Sequence, residues 1–257
     1  MIRPFILRRL KGDVLKDLPE KIEENVFARL DGEQMQLYDA YATRMKEMLS
    51  QQNEKEFHKG RMQILSELTK LRQLCCDPGL LLEDYHGESA KTDMCMELIV
   101  NAVGAGHKIL LFSQFTSMLD RLTERLKKEG IDYYLLTGSV NKEKRMQMVE
   151  SFNNDDTQVF CISLKAGGTG LNLTGADIVI HYDPWWNVAV ENQATDRAHR
   201  IGQKNVVTVY KLIAKGTIEE KIIKLQQMKK ELAEEILSGD EIKTASFQSC
   251  LLYTSDA

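Results

Sequence analysis

Between Lys91 and Ile213 the chain alternates short apolar runs with amphipathic stretches, and few folds admit that alternation. Residues 109–115, 132–136, 157–163, 177–182 and 206–213 read as strands, and helices are expected near 92–103, 116–129, 141–152 and 187–199. A last amphipathic helix is expected from Thr217 to about Leu237, with Ile218, Ile222, Leu225, Leu232 and Ile236 on its packing face. Strands joined through helices form parallel sheets, because a parallel pair needs a long crossover. The expected fold is α/β: a parallel sheet with flanking helices.

Upstream of this region the pattern is helical from about Asp31 to Leu82. Met35, Leu37, Tyr38, Tyr41 and Met45 mark one helix, and Ile64, Leu65, Leu68, Leu71 and Leu74 a second. The polar break from Gln51 to Gly60 makes them an antiparallel pair, whose Met and Tyr stripe is packing surface. Asp77-Pro78-Gly79 stops the second helix. Four parts are therefore expected: a connector over 1–30, a helical insertion over 31–88, the α/β lobe with its final helix over 89–240, and a patternless tail over 241–257.

Two segments carry chemistry. The first, Ser163-Leu164-Lys165-Ala166-Gly167-Gly168-Thr169-Gly170-Leu171-Asn172-Leu173, follows the apolar run Val159–Ile162. Its three glycines in four positions permit close backbone approach to a ligand. A plain βα turn has the same look; a dinucleotide fingerprint does not fit, because it needs glycine where Leu173 stands. The second segment is Gln193-Ala194-Thr195-Asp196-Arg197-Ala198-His199-Arg200-Ile201-Gly202-Gln203. Read as helix, it puts Arg197 and Arg200 on one face, where two guanidinium forks can converge on phosphate oxygens. Such a pair alone is ordinarily a solvated face.

The order of segments resolves that ambiguity. Ile109-Leu110-Leu111-Phe112-Ser113-Gln114-Phe115, Leu135-Leu136-Thr137-Gly138-Ser139, the glycine loop, Asp183-Pro184-Trp185-Trp186-Asn187 and the arginine segment closely resemble, in that order, motifs IV to VI of SWI/SNF-type helicase-related ATPases of superfamily two. Pro4-Phe5-Ile6-Leu7-Arg8-Arg9 and Leu71-Arg72-Gln73-Leu74-Cys75 extend the resemblance over roughly residues 1–240. Asp77 departs from the family, where histidine is frequent at that turn. The resemblance implies the second RecA-like lobe of a double-stranded DNA translocase that remodels protein–DNA complexes.

By that resemblance ATP, with Mg²⁺ held mainly by a first lobe, lies between two lobes. Arg197 and Arg200 act as arginine fingers, Gln193 positions phosphate or water, and Gly168, Gly170 and Asn172 line the nucleotide side. Asp196 orients its neighbouring arginine. For DNA phosphate, the strand-end residues Ser113, Gln114, Thr137, Gly138 and Lys165 are the candidates, since hydroxyls and backbone amides hold phosphate without reading bases. Trp185 and Trp186 either wedge against the sugar-phosphate backbone or pack as core aromatics under the arginine segment. His181 and His199 show no partner in the sequence and are read as structural.

What the chain lacks bounds its activity. No G-x-x-x-x-G-K-[ST] loop and no D-E-x-H or D-E-x-D motif occurs, so the first lobe is expected to be missing and the chain alone inactive. Its start inside a segment that leaves that lobe, and an ending over Leu251–Ala257 that resembles adapter read-through, are expectations of a truncated piece. Expected partners are duplex DNA, the first lobe and a DNA-bound protein complex. Translocases that recycle RNA polymerase or act in repair are variants of the same reading. From another class, a non-catalytic nucleic-acid or protein-binding module retaining the fold would have no need of Gln193, Arg197, Arg200 and the glycine loop.

Net charge is −4, so the whole is no basic nucleic-acid binder, yet Gln193 to Lys230 carries nine basic against three acidic residues. That run is either a solvated face or a phosphate-facing one. Five cysteines form no C-x-x-C pair and no histidine stands at zinc-ligand spacing, so no metal site is expected. Without a signal peptide or a run of about 18 apolar residues, an intracellular protein with no membrane partner is expected. That means cytoplasm or nucleoid in a bacterium, and the nucleus in a eukaryote.

Overall fold

Each apolar run between residues 109 and 213 becomes a strand. The computed structural model describes residues 18–50, 54–85, 87–168 and 170–238. In chain order the elements are β1 (Lys21–Arg29), α1 (Gly32–Ser50), α2 (Glu54–Cys76), α3 (Ala90–Gly104), β2 (Ile109–Ser113), α4 (Thr116–Lys128) and β3 (Tyr133–Leu136). They continue with α5 (Lys142–Asn154), β4 (Val159–Ser163), β5 (Ile178–His181), α6 (Val188–Thr195), β6 (Val207–Lys215) and α7 (Ile218–Ser238). The strands make one sheet in the order β1-β6-β5-β2-β4-β3, and every neighbouring pair is parallel. This is the expected α/β sheet flanked by helices.

The two faces of the sheet explain why the strands are apolar throughout. Side chains alternate across a strand. Ile109 and Leu111 of β2 pack with Met118, Leu119 and Leu122 of α4 and with Cys95 and Ile99 of α3. Leu110 and Phe112 face the other way, onto Phe152 of α5 and Ala194 of α6. Ile109 to Phe112 are at most 1% exposed, and each such burial stabilises by roughly 1.5–3 kcal/mol.

Helix ends follow the local sequence. α4 carries Arg125, Lys127 and Lys128 in its last turn, where cations complement the helix dipole. It stops at Gly130, whose φ of 69° is open to a residue without Cβ. There the N–H of Ile131 reaches Leu126 O and that of Gly130 reaches Lys127 O, a Schellman closure.

The expected helical pair is present as α1 and α2. Gln34 at the start of α1 donates to Leu74 O near the end of α2 at 2.9 Å, so the two run antiparallel. Tyr38, Met45, Ile64, Leu71 and Leu74 form their shared core with Ala214 of β6. The Tyr38 hydroxyl accepts from Ile218 N at 2.7 Å, which ties the pair to α7. Lys91 of α3 and Glu219 of α7, both 0% exposed, meet at 2.7 and 2.6 Å.

The expected connector, read with extended pieces around Pro19, contains β1, which sequence patterning did not assign to the sheet. Lys21–Arg29 is largely polar and lies at the edge of the sheet, so it needs no apolar alternation. It pairs in register with β6, from Lys21 opposite Val207 to Arg29 opposite Lys215. The expected tail, and the Pro4–Arg9 segment, lie outside the described residues.

Candidate functional site

Because all strands are parallel, their carboxyl ends open on one edge of the sheet, where ligands of open α/β sheets bind. Ser113-Gln114-Phe115 follows β2, Thr137-Gly138 follows β3, the glycine loop follows β4, and Tyr182–Asn187 follows β5. Thus four of the segments singled out from sequence open on that edge, while the arginine segment lies between α6 and β6.

The arginine segment departs from the helix expected for it. α6 ends at Thr195, and the chain then turns: Arg197 N bonds Ala194 O, Ala198 N bonds Thr195 O, and Gln203 N bonds Arg200 O. The helix ends because its next carbonyls are taken elsewhere. Arg197 O accepts from Leu173 N at 3.0 Å, and Ala198 O accepts from the Gln203 side chain at 3.2 Å. Gly202, at φ 102°, lets the chain reverse so that Gln203 can do this. Buried Gln203 also donates to Ala176 O at 2.7 Å, while its Oε1 accepts from Lys204 N and Asn205 N. Sequence reading gave Gln203 no role; a polar residue after a turn glycine was the available signal.

The two arginines are therefore not equivalent. Arg197 is 7% exposed, and its Nε donates to Gly167 O at 3.0 Å, so its guanidinium fastens the turn to the glycine loop. Burial first, and then the nearby Arg200 charge, lower its pKa, with Asp196 opposing. Arg200 is exposed, as is Gln193 on the last turn of α6. Gly168 closes the short 3-10 turn Ala166–Gly168, and Gly170 has φ 29°. Asn172 is exposed and its carbonyl accepts from Asn153 at 2.8 Å. A buried latch and an exposed guanidinium on one turn, fastened to a glycine loop, can receive a phosphate chain.

On the DNA candidates the geometry divides. Lys165 and Gly138 are exposed, and Thr137 is half-buried with its hydroxyl on Ser139 at 2.8 Å. Ser113 corrects its expectation: it is 1% exposed and donates to Asp183 Oδ1 at 2.5 Å, so its hydroxyl is turned inward. Gln114 contributes its backbone N–H to the same carboxylate at 3.2 Å. Burial lifts the Asp183 carboxyl above its usual range, against the pull of Arg72 and these bonds. Trp185 and Trp186 are half-buried, and each has the Arg72 guanidinium over its ring, at 5.3 and 5.6 Å. Nothing in the sequence marked Arg72 or Asp183 for this junction, since 112 residues separate Arg72 from Pro184, to which it also bonds.

Both histidines have partners after all. His181 Nε2 meets the Thr195 hydroxyl at 2.9 Å, and His199 Nε2 meets Pro19 O at 2.8 Å. Burial, reinforced by Lys211, lowers the His181 pKa to about 3, so it stays neutral. Asp77 caps the turn Pro78–Leu80 through Gly79 N and pairs with Arg121 at 3.0 Å, which gives the turn a structural role without histidine. Among the described residues, no group of three or more His, Cys, Asp or Glu could hold a metal ion. The glycine loop and the arginine turn can receive the phosphates of a nucleotide, and among the described residues no carboxylate cluster for Mg²⁺ accompanies them. No described helix is long and apolar enough to cross a membrane.

Comparison with known proteins places these features in a family. Residues 90–202 match the helicase conserved C-terminal domain, and residues 1–80 match the SNF2-related domain. The Sulfolobus solfataricus SWI2/SNF2 ATPase C-terminal domain superposes with a TM-score of 0.69 at 36% identity, over 84% of this chain and 90% of that one. The SWI2/SNF2 ATPase core from the same organism, in complex with dsDNA, gives 0.72 at 37% identity, over 93% and 51%. A Mycoplasma pneumoniae protein named "Uncharacterized ATP-dependent helicase" is 43% identical over 242 residues. That match takes in 92% of this chain and 23% of the relative, so the chain spans about a quarter of the curated relative's length.

Proposed function

The chain belongs to the SWI2/SNF2-type helicase-related ATPases of superfamily two, as a C-terminal RecA-like lobe, and from that premise we propose that it is the second motor lobe of an ATP-dependent double-stranded DNA translocase. The observation that carries this reading is the joining of the arginine turn to the glycine loop through Arg197 and Gly167, with Arg200 exposed on the same turn. ATP would lie between the arginine turn and a first lobe that supplies the phosphate loop and the magnesium carboxylates.

In that arrangement Arg200 meets the charge that develops on the transferring phosphoryl group, and Arg197 holds the loop and turn in register behind it. Gln193 stands one turn earlier on the same segment and orients phosphate or water. Lys165, Gly138 and Thr137, at neighbouring strand ends, hold duplex phosphates without base readout. Domain closure on ATP and reopening after hydrolysis then move the two lobes stepwise along DNA without separating its strands.

The test joins a phosphate-loop lobe to this chain and compares Arg200→Ala with the unaltered protein. A finger contributes roughly 10³- to 10⁵-fold to turnover, about 4–7 kcal/mol of transition-state stabilisation. DNA-stimulated hydrolysis should nearly vanish while duplex binding persists. Retention of more than about a tenth of the turnover, far inside that range, would show that Arg200 is not the finger.

A further inference from the structure

The corner Asp183–Trp186 is gripped from four directions. Arg72 of α2 donates through Nη2 to Pro184 O at 2.6 Å and stands 3.6 Å from Asp183 Oδ2. Ser113, at the end of β2, donates to the Asp183 carboxylate. Glu191 of α6 accepts the Trp185 N–H at 2.6 Å. Gln226 of α7 donates to the Trp185 carbonyl and, at 3.1 Å, to Glu191 Oε1. Both peptide groups of Trp185 are thus held by side chains, on two different helices, α6 and α7.

The rings are held as well. The Arg72 guanidinium lies over Trp185, Trp186 and Phe115 at 5.3, 5.6 and 5.7 Å. Its Nε is buried with no hydrogen-bond partner, so ring faces supply part of what acceptors ordinarily would. These indoles are both of the chain's tryptophans, and each remains partly exposed. A planar cation beneath two partly exposed aromatic rings fixes their tilt, which a lysine ammonium does poorly.

We propose that Arg72 and Gln226 are positioning residues that set how Trp185 and Trp186 are presented to duplex DNA. The proposal rests on the reading of this sheet edge as the DNA-facing one. Gln226 couples the corner to α7, so a displacement of that helix is felt at the indoles through the Trp185 peptide. An indole fixed in advance avoids being immobilised on binding, which is worth roughly 2- to 12-fold in affinity per side chain. Gln226 is uncharged, so its loss leaves the count of phosphate contacts, and hence the salt dependence, unchanged.

The 257-residue chain serves for the test, with a short duplex of arbitrary sequence as the probe. Gln226→Ala and Arg72→Lys are compared with the unaltered chain in acrylamide quenching of tryptophan emission without DNA, and in duplex affinity at two salt concentrations. Gln226→Ala should raise quenching and weaken binding by roughly 2- to 12-fold, with an unchanged salt slope and a lowered thermal midpoint that leaves the protein folded at the assay temperature. Arg72→Lys should act in the same direction. In a Trp186→Ala background the binding effect of Gln226→Ala should shrink, a coupling that a merely structural glutamine would not show. Unchanged quenching in a folded Gln226→Ala protein overturns the proposal, and so does an equal binding loss with or without Trp186. An unaltered chain that binds no duplex at low salt instead removes the DNA-facing reading, and the binding part of this proposal with it.

Discussion

Removing Lys91 tests how the α/β lobe is fastened to its last helix. Its ammonium contacts both Glu219 oxygens at 2.7 and 2.6 Å with both side chains fully buried, and Glu219 Oε2 also accepts from Ala214 N at 2.8 Å. Burial pushes the Lys91 pKa down, but the Glu219 carboxylate outweighs it and the pKa is raised. Lys91→Met leaves a buried carboxylate with one backbone donor, and stranding one partner of such a pair costs about 3–5 kcal/mol. Lys91→Met with Glu219→Leu removes both charges and orphans only the Ala214 N–H, at about 1–3 kcal/mol. The double variant should therefore be more stable than the single one.

The pH dependence has a definite sign. Without Lys91, burial and then the nearby Asp183 charge raise the Glu219 folded-state pKa above the unfolded value of about 4.3, with only the Ala214 N–H opposing. The folded state then binds the extra proton, so stability is greatest below the unfolded pKa and falls as pH rises through the folded one. Urea unfolding at about pH 5 and pH 8 should show the single variant's deficit shrinking at the lower pH. A single variant as stable as the double one, or a deficit flat with pH, would refute the reasoning.

Arg197→Ala in this chain should cost roughly 1.5–3 kcal/mol for the lost charged bond to Gly167 O, while Arg200→Ala, on an exposed side chain, should stay within about 0.5 kcal/mol; thermal melts distinguish them. In the two-lobe protein, Arg200→Lys should rescue little of the hydrolysis lost in Arg200→Ala, because one ammonium does not reproduce the planar fork, as steady-state turnover will read. The chain alone should hydrolyse no ATP above a catalytically dead control, with or without duplex DNA. Its duplex binding should be indifferent to sequence and fall steeply with salt through counterion release, which titrations of unrelated duplexes at two salt concentrations will check. His181, held neutral with its pKa lowered to about 3, contributes stability present above the unfolded pKa of about 6.5 and lost as pH falls through about 3. In His181→Asn, acid unfolding monitored by circular dichroism should begin at lower pH.

Most of the sheet was legible because a buried parallel strand must be apolar on both faces, as Ile109–Phe112 and Val159–Ile162 are. β1 escaped because an edge strand obeys no such rule and its partner lies 186 residues further along the chain. Candidate residues were legible where the chemistry sits in one short segment, as with the glycine loop and the arginines. Long-range partners were not. That Arg72 would stand against Pro184, or that Gln203 would close the turn carrying the arginines, depends on packing between elements that local patterning does not describe. The same packing turned the Ser113 hydroxyl inward, although its place at a strand end was read correctly.

The pairing of β1 with β6 bears on how the lobe carries load. The two strands run parallel over nine registered positions, from Lys21–Val207 to Arg29–Lys215. Tension that enters at the amino end of β1 and leaves through the carboxyl end of β6 therefore pulls along the ladder, in shear. In shear the hydrogen bonds resist together, whereas a hairpin pulled at its open end yields one rung at a time. Such a seam fails only when the whole ladder lets go. Its closure also waits until residue 215 has been made, so β1, the first described strand, is among the last to find its place.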